Sequence, residues 1–227
     1  MLTMIEEFFQ NVGALDAIKV TLLLAFSSTS IATLLGVSFG LLLEKYHFPF
    51  KKLVIRINRT LMGVPPVVIG LVVYLLLMRR GPLGSFSLLF TIRGMIIAQV
   101  FIITPIISGT VYAYAAKFAP QVRNFAKTVG ATPLQTELLV LKEMRSEIYF
   151  AIVSGFGRSI SEVGAVMLVG GNIKGRTRTM TTAISLLKSQ GIYSEGIMLG
   201  IILLIMAFIV QTIAEHFKKE DIYDENF

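Results

Sequence analysis

Residues 125–144 read FAKTVGATPLQTELLVLKEM, a short polar segment between much more apolar ones. Pro120, just before it, can begin a helix, because the missing N–H of proline would be unpaired in a first turn anyway. Gly130 can end that helix in the left-handed conformation that other residues resist. The segment therefore predicts a helix from Pro120 that turns at Gly130.

A second helix is predicted directly after this turn. Thr132 precedes Pro133 and is pushed away from helical geometry, and Gln135 follows Thr132 at the spacing of a capping box. The apolar residues of this second helix share one face: Leu134, Leu138 and Leu141. The pattern is compatible with a hairpin that lies on lipid headgroups with its apolar side down, and equally with a hairpin that docks into a partner.

The whole chain is too apolar for a soluble core. It has 227 residues, of which 54% are hydrophobic and 15% charged, so a bilayer is the expected surrounding. The net charge of +7 does not indicate nucleic-acid binding, because the basic residues punctuate apolar runs instead of gathering on one face. Cysteine is absent and the two histidines stand alone, so no metal site is predicted.

Apolar runs near the length of a bilayer span predict an all-α membrane protein with five transmembrane helices. The basic residues of the short loops favour an N-terminus outside and a C-terminus inside. The acidic start MLTMIEEFFQ is not typical of a cleaved signal peptide, so the first span is expected to act as an uncleaved anchor. We expect one domain, residues 1–227, with a cytoplasmic loop at 117–147 and spans at about 20–43, 60–78, 94–116, 148–169 and 196–214.

The fourth predicted span contains two charges. Arg158 and Glu162 are four residues apart and are predicted to pair along one helix. Each would cost about 2.5 to 3.5 kcal/mol at the centre of a bilayer, so both should face protein or a water-filled path. They are interpreted either as a link between helices or as the lining of a polar pathway.

The loop after this span is basic and rich in hydroxyl groups. It contains Asn172, Lys174, Arg176 and Arg178 together with four threonines. Guanidinium and hydroxyl donors suit an oxyanion with several equivalent oxygens, and they suit the acidic surface of a partner as well. A solvated loop, a docking or gating loop and direct anion contact therefore all remain open.

The 125–144 hairpin resembles the EAA loop of ABC-importer permeases, which docks on a cytoplasmic ATPase subunit. Ala126 and Gly130 match that pattern, whereas Asn124 and Phe125 replace its first Glu and Ala, and Lys142 replaces the Leu of its closing Leu-Pro. The resemblance implies that the following residues couple this chain to the ATPase: Ala126, Gly130, Ala131, Thr132 and Pro133.

A second resemblance covers residues 155–184, GFGRSISEVGAVMLVGGNIKGRTRTMTTAI, together with LMGVPPVVIGLVVYLLLMRRGPLG upstream. Their order is similar to that of permeases for molybdate, tungstate and sulfate, and most similar to the tungstate branch. By this resemblance the pathway or gate comprises Arg158, Ser159, Glu162, Gly164, Gly170, Gly171, Asn172, Arg176, Thr177, Arg178 and Thr179.

The resemblance implies the permease fold of type I ABC importers and a homodimer in a bacterial or archaeal cytoplasmic membrane. Two ATPase subunits would carry ATP and Mg, and an extracytoplasmic protein would deliver the oxyanion. The chain has no GxxxxGK[ST] phosphate loop, so we expect a transport subunit that is not an enzyme and binds no cofactor. Import of molybdate or sulfate is the alternative, and an intramembrane signalling protein or enzyme using Arg158 and Glu162 is a second class.

Overall fold

The computed structural model describes the backbone of residues 13–223 and the side chains of residues 13–213. In this part of the chain every regular element is helical, which confirms the all-α prediction. The acidic start MLTMIEEFFQ lies outside the described residues. The elements are α1 (Ala14–Lys45), α2 (Lys51–Met62), α3 (Pro66–Leu77), a short 3₁₀ turn (Gly84–Phe86), α4 (Ile92–Thr128), α5 (Pro133–Glu143), α6 (Arg145–Ile160), α7 (Gly164–Gly170), α8 (Met180–Ser189) and α9 (Tyr193–Tyr223).

Among the described residues, three helices are long and apolar enough to cross a membrane: α1, α4 and the first 21 residues of α9. Two further candidates are bent pairs, with 104° between α2 and α3 and 58° between α6 and α7. The predicted spans 60–78 and 148–169 fall on these pairs and are therefore not straight helices. At 1.5 Å per residue, α3 is only about 18 Å long, well short of a hydrocarbon core of about 30 Å.

The prediction that a helix begins at Pro120 is wrong. Helix α4 runs without interruption from Ile92 to Thr128 and contains both Pro105 and Pro120. A proline inside a helix removes one hydrogen bond and crowds the preceding turn. Here that turn is held by packing, because Ala115 and Ala119 are fully buried against the rest of the protein. The third predicted span and the first arm of the hairpin are consequently one helix.

The prediction that Arg158 and Glu162 lie on one helix is also wrong. Helix α6 ends at Ile160, and Glu162 lies in the short break before α7 begins at Gly164. Two charges four residues apart fit a continuous helix as well as a broken one, so the spacing of Arg158 and Glu162 does not reveal the break.

Glycines let α1 and α4 pack with their backbones close together. A Cβ atom on Gly36 would lie 2.8 Å from Cβ of Ile107, and one on Gly40 would lie 2.8 Å from the carbonyl oxygen of Ser108. The GVSFG sequence is thus used for packing within the chain. These two helices form the frame against which the bent pairs lie.

The two bent pairs meet through α3 and α7. A Cβ atom on Gly70 would lie 2.5 Å from Cα of Ala165, and one on Gly164 would lie 2.5 Å from Cγ2 of Val67. Both short helices therefore touch immediately after their bends.

Candidate coupling hairpin and pathway site

The hairpin turn has the geometry that the sequence predicts. Gly130 adopts a φ of 70°, in the left-handed region, and no atom lies within 4 Å of the position that a Cβ would take. Thr132 caps α5, since its hydroxyl accepts from the amide of Gln135 at 3.4 Å and its own amide donates to Oε1 of Gln135 at 2.8 Å. Pro133 occupies the first turn. A compact turn thus projects from the end of α4.

The hairpin exposes most of its apolar side chains. Phe125 and Val129 on α4 are 61% and 63% exposed, and Leu134 and Leu138 on α5 are 72% and 56% exposed. Ala126, by contrast, is fully buried against the rest of the protein. The inner side of the hairpin is therefore packed, and its outer side offers apolar surface to a partner or to lipid.

A network of ion pairs joins the hairpin to the end of α1. Arg123 lies on α4, and its Nη1 donates to Oε2 of Glu44 at 2.6 Å. Its Nε and Nη2 each donate to a carboxylate oxygen of Glu137 on α5, both at 3.3 Å. Lys45 adds a second ion pair to Glu137 at 3.0 Å. We call these four residues the ionic bracket.

The ionic bracket shifts the pKa values of its members. Partial burial alone would raise the pKa of the Glu137 carboxyl, but the hydrogen bonds and charges of Arg123 and Lys45 outweigh it and hold that pKa below its ordinary value. Burial acts to lower the pKa of Arg123, and its bonds to Glu44 and Glu137 raise it overall. Both shifts favour the charged forms, so the bracket is an ionic link.

At the other candidate site, Glu162 closes the break between α6 and α7. Its carboxylate is buried; Oε1 accepts from the amide of Ala165 in the first turn of α7 at 3.0 Å. Oε2 lies 3.4 Å from Nη2 of the half-exposed Arg158, and the backbone carbonyl of Glu162 accepts from the hydroxyl of Thr181 at 2.9 Å. Glu162 therefore holds the break, α7 and α8 together.

The threonine hydroxyls of the following loop are used inside the protein. Thr177 donates to the carbonyl of Gly170 at 2.6 Å and accepts from the amide of Ile173 at 3.1 Å. Thr179 caps α8 through a capping box with Thr182. Both predicted site residues are buried, so their hydroxyls are committed to folding the loop.

The two arginines of this loop differ, because Arg178 is bonded within the protein and Arg176 is exposed. Arg178 donates from Nε to Oδ1 of Asn172 at 3.2 Å and from Nη2 to the carbonyl of Asn172 at 3.4 Å. Asn172 itself has a φ of 51°, a left-handed conformation that asparagine tolerates. Arg176 is exposed, so its guanidinium is available to a ligand or partner at this end of the molecule.

Glycines shape the start of the loop. A Cβ on Gly170 would lie 2.7 Å from Sδ of Met95, and one on Gly171, where φ is 70°, would lie 2.7 Å from the ring of Phe90. The adjacent glycines thus permit the chain to turn directly against the start of α4.

A buried polar cluster was missed by the sequence analysis. Ser28 donates to Oε1 of Gln99 at 2.7 Å and lies 3.0 Å from the hydroxyl of Ser159, which also bonds to Gln99. Nε2 of Gln99 donates to the carbonyl of Ser159 at 3.2 Å. The hydroxyl of Ser28 also lies 2.7 Å from the carbonyl oxygen of Leu24 in its own helix, a second acceptor for the same proton. An amide inside an otherwise apolar span, such as Gln99, was the available signal, because such groups seek partners within the protein.

Comparisons with known proteins agree with this architecture. The family described as "Binding-protein-dependent transport system inner membrane component" matches residues 18–220. The "Tungstate uptake system permease protein TupB" of Peptoclostridium acidaminophilum is 40% identical over 86% of this chain and 85% of its own length. The protein of the same description from Campylobacter jejuni is 35% identical over 93% of this chain and 89% of its own length.

A solved structure shows the same fold. It is described as "Crystal structure of a bacterial ABC transporter involved in the import of the acidic polysaccharide alginate", and it superposes with a TM-score of 0.76 at 20% identity, covering 91% of this chain and 79% of that chain. Its low identity makes it a likeness of fold alone. With the family match over most of the chain, the expectation of a membrane transport subunit that is not an enzyme is confirmed. This chain belongs to the family of inner membrane components of binding-protein-dependent transport systems.

Proposed function

We propose that this chain is the transmembrane permease subunit of an ATP-driven importer of tungstate. The observation that carries the proposal is the similarity, over most of both chains, to two tungstate uptake permeases. The proposed substrate reaches the chain as an oxyanion, and ATP is hydrolysed on another subunit.

The proposed topology has five spans, with the N-terminus outside and the C-terminus inside. Helices α1, α4 and α9 each supply one span, and the bent pairs α2–α3 and α6–α7 supply the other two. The distribution of Lys and Arg supports this orientation, because it puts the loop 117–147 in the cytoplasm. Residues 1–227 then form a single permease domain.

The hairpin is the proposed contact with the ATPase subunit. Its outer apolar side chains, led by Phe125 and Leu134, supply the contact area, and the Gly130 turn sets the angle between α4 and α5. Ala126 supports that geometry from the buried inner side, Pro133 fixes the first turn of α5, and Ala131 lies next to the turn. An interfacial hairpin would use the same apolar residues against lipid, so only a partner-binding experiment separates the two interpretations.

Movement of the hairpin has a direct route into the membrane domain. Helix α4 is continuous from Ile92 to Thr128, so displacement of its cytoplasmic end tilts the whole helix. The ionic bracket links the same end to α1 through Glu44. Binding or hydrolysis of ATP on the partner would therefore reorient α1 and α4 together.

The bends are the proposed gate of the pathway. Arg158 and Glu162 lie at one bend, and α7 packs on α3 directly after the other. Ser159 joins this region to the buried polar cluster, and the loop beyond it presents Arg176 to the outside. In this proposal Glu162, Thr177, Arg178 and Thr179 hold the gate in shape, and Arg176 contacts the external binding protein or the anion.

The proposed assembly contains two copies of this chain, two ATPase subunits that hold ATP and Mg, and one external oxyanion-binding protein. It lies in the cytoplasmic membrane of a bacterium or archaeon. This assembly gives each hairpin its own ATPase subunit and places the pathway between the two permease copies.

Uptake by cells lacking this protein tests the substrate. Cells supplied with nanomolar tungstate, molybdate or sulfate should lose tungstate accumulation, measured by elemental mass spectrometry, and regain it when the gene is restored. Loss confined to molybdate or sulfate would replace the tungstate assignment. A chain that purifies in active form without any ATP-hydrolysing partner would support the signalling or enzyme class instead.

The hairpin contact is tested by substitution of Gly130. Valine is strongly disfavoured at a φ of 70°, whereas asparagine, of similar size, tolerates it. Gly130→Val should therefore reduce co-purification of the ATPase subunit, and Gly130→Asn should retain most of it. Equal retention by both variants would show that the turn does not set the contact.

A further inference from the structure

Helix α2 carries two different outward stripes. Its basic stripe consists of Lys52, Arg56 and Arg59, all exposed. Its apolar stripe consists of Leu53, Ile57 and Leu61, which are 49%, 51% and 37% exposed. Since α2 makes an angle of 104° with α3, it lies across the direction of that helix. An amphipathic basic helix in this orientation is typical of a membrane interface.

The inner side of α2 is held firmly by α4. Nδ2 of Asn58 donates to the carbonyl of Pro105 at 3.3 Å, and Oδ1 of Asn58 accepts from the hydroxyl of Ser108 at 3.0 Å. Met62 packs so closely on Gly109 of α4 that a Cβ atom on that glycine would collide with its sulfur. The outward stripes of α2 therefore have a fixed orientation.

A basic cleft opens at the start of α2. Its volume is about 740 Å³, and it is lined by Lys51, Lys52 and Arg56 together with the aromatic side chains of Phe48, Phe50 and Tyr112. Within the described part of the chain, Lys52 and Arg56 form no ion pair. Two uncompensated cations beside aromatic rings suit a ligand with an anionic head and an apolar body.

The cleft lies at the same end of the molecule as the hairpin. Nζ of Lys51 donates to the carbonyl of Glu44 at 3.0 Å, and the side chain of Glu44 is bound by Arg123 of the ionic bracket. In the proposed topology this is the cytoplasmic end, where anionic lipids attract basic segments.

We propose that this cleft binds an anionic phospholipid, with the phosphate between Lys52 and Arg56 and the acyl chains along the apolar stripe of α2. The bound lipid would fix α2 in the interface and so hold the bend between α2 and α3. The charge pattern favours lipid over a second copy of the chain. A two-fold contact would bring the basic stripe against itself.

Native mass spectrometry of the purified full chain in detergent tests the proposal. The probes are phosphatidylglycerol and phosphatidylcholine with identical acyl chains. Phosphatidylglycerol should bind more tightly, and Arg56→Gln or Lys52→Gln should weaken its binding about fivefold, as expected for the loss of one partly exposed, charge-assisted contact to the phosphate. Arg59→Gln is the matched control: it removes the same charge from the same helix, outside the cleft, and should change binding less than twofold.

Several outcomes would overturn the proposal. Equal binding of the two lipids would do so, as would equal weakening by Arg56→Gln and Arg59→Gln, which would indicate diffuse surface attraction. Displacement of phosphatidylglycerol by millimolar tungstate or phosphate would identify a site for free oxyanions. A change from dimer to monomer on Arg56→Gln would identify a subunit contact. The substituted side chains are exposed, and an unchanged melting temperature would show that the fold is intact. The lipid result does not depend on which oxyanion is imported, so it can fail while the proposed function stands.

Discussion

Replacement of Arg123 by alanine should separate ATP hydrolysis from transport. Arg123 is the one member of the ionic bracket that touches both Glu44 on α1 and Glu137 on α5. Without it, the hairpin keeps its helices and its exposed apolar face but loses the more buried of its two ionic links to α1, the one to Glu44. The more exposed pair between Lys45 and Glu137 remains. The ATPase partner should still dock and hydrolyse ATP, while less of each movement reaches the membrane domain.

The size of the free-energy change caused by Arg123→Ala follows from the burial of the paired side chains. The side chains of Arg123 and Glu44 are 19% and 10% exposed, so the substitution leaves the Glu44 carboxylate largely desolvated and without its guanidinium. Glu137 is 30% exposed and keeps Lys45. A hydrogen bond to a charged group is worth about 1.5 to 3 kcal/mol, and we take about 2 kcal/mol after allowing for solvent screening. This corresponds to an approximately 30-fold shift toward the detached hairpin.

The assay is transport by the whole complex in liposomes, expressed as oxyanion imported per ATP hydrolysed. Arg123→Ala should lower this ratio several-fold at nearly normal ATPase activity. Arg123→Lys should be intermediate, because one ammonium group cannot match the forked contacts to two carboxylates. Lys45→Gln is the control: its ion pair with Glu137 is 40% and 30% exposed, is worth less than about 1 kcal/mol, and should leave the ratio nearly unchanged. A normal ratio and a normal melting temperature in Arg123→Ala would refute the role of the ionic bracket in coupling.

Three further predictions concern packing, the break and pH. Gly70→Ala should destabilise the protein by about 1 to 3 kcal/mol, because the added Cβ would collide with the backbone of Ala165. Gly200→Ala should be neutral or slightly stabilising, because no atom lies within 4 Å of the position of its added Cβ. Equal melting temperatures of the two variants would contradict the close contact between α3 and α7. Glu162→Ala should cost about 1 kcal/mol, because the amide of Ala165 in the first turn of α7 loses its acceptor. Glu162→Gln keeps an acceptor and most of the stability. A thermal melt in which both variants lose the same amount would show that the charge of Glu162, not its hydrogen bond to Ala165, is what matters. Because the pKa of Glu137 is lowered from its ordinary value of 4.5, its stabilising contribution is fully present above that pH and is lost as pH falls through the lowered pKa. The difference in melting temperature between wild type and Glu137→Gln should therefore be constant from about pH 7 to 5.5 and shrink below about 4.5. A decline already at pH 6 would contradict the lowered pKa of Glu137.

Local chemistry was sufficient to predict the hairpin turn. Gly130 and the Thr132 cap act within a few residues of themselves, and their preferences do not depend on the rest of the fold. The beginning of the preceding helix could not be predicted in the same way. Pro120 is compatible with a first turn by itself, and only the packing of the neighbouring alanines decides that α4 continues through it.

The bends and the contacts of the site residues could not be predicted from local sequence either, because they depend on tertiary packing. An apolar run of the right length predicts a span, but it does not show that α3 ends after 12 residues or that it meets α7 through Gly70 and Ala165. Glu162 was singled out correctly as a charge that must face protein, and its partners on α7 and α8 are set by the break. Gln99 was passed over, because its partners lie on helices far away in the sequence.

The contact between α3 and α7 also bears on how the protein is made. Neither helix is long enough to span the hydrocarbon core unaided, and Ala165 is synthesised about 95 residues after Gly70, roughly 5 to 20 s later at ordinary rates of translation. During that interval the glycine face of α3 has no packing partner from its own chain. Substitutions at this contact should therefore reduce the number of correctly inserted molecules.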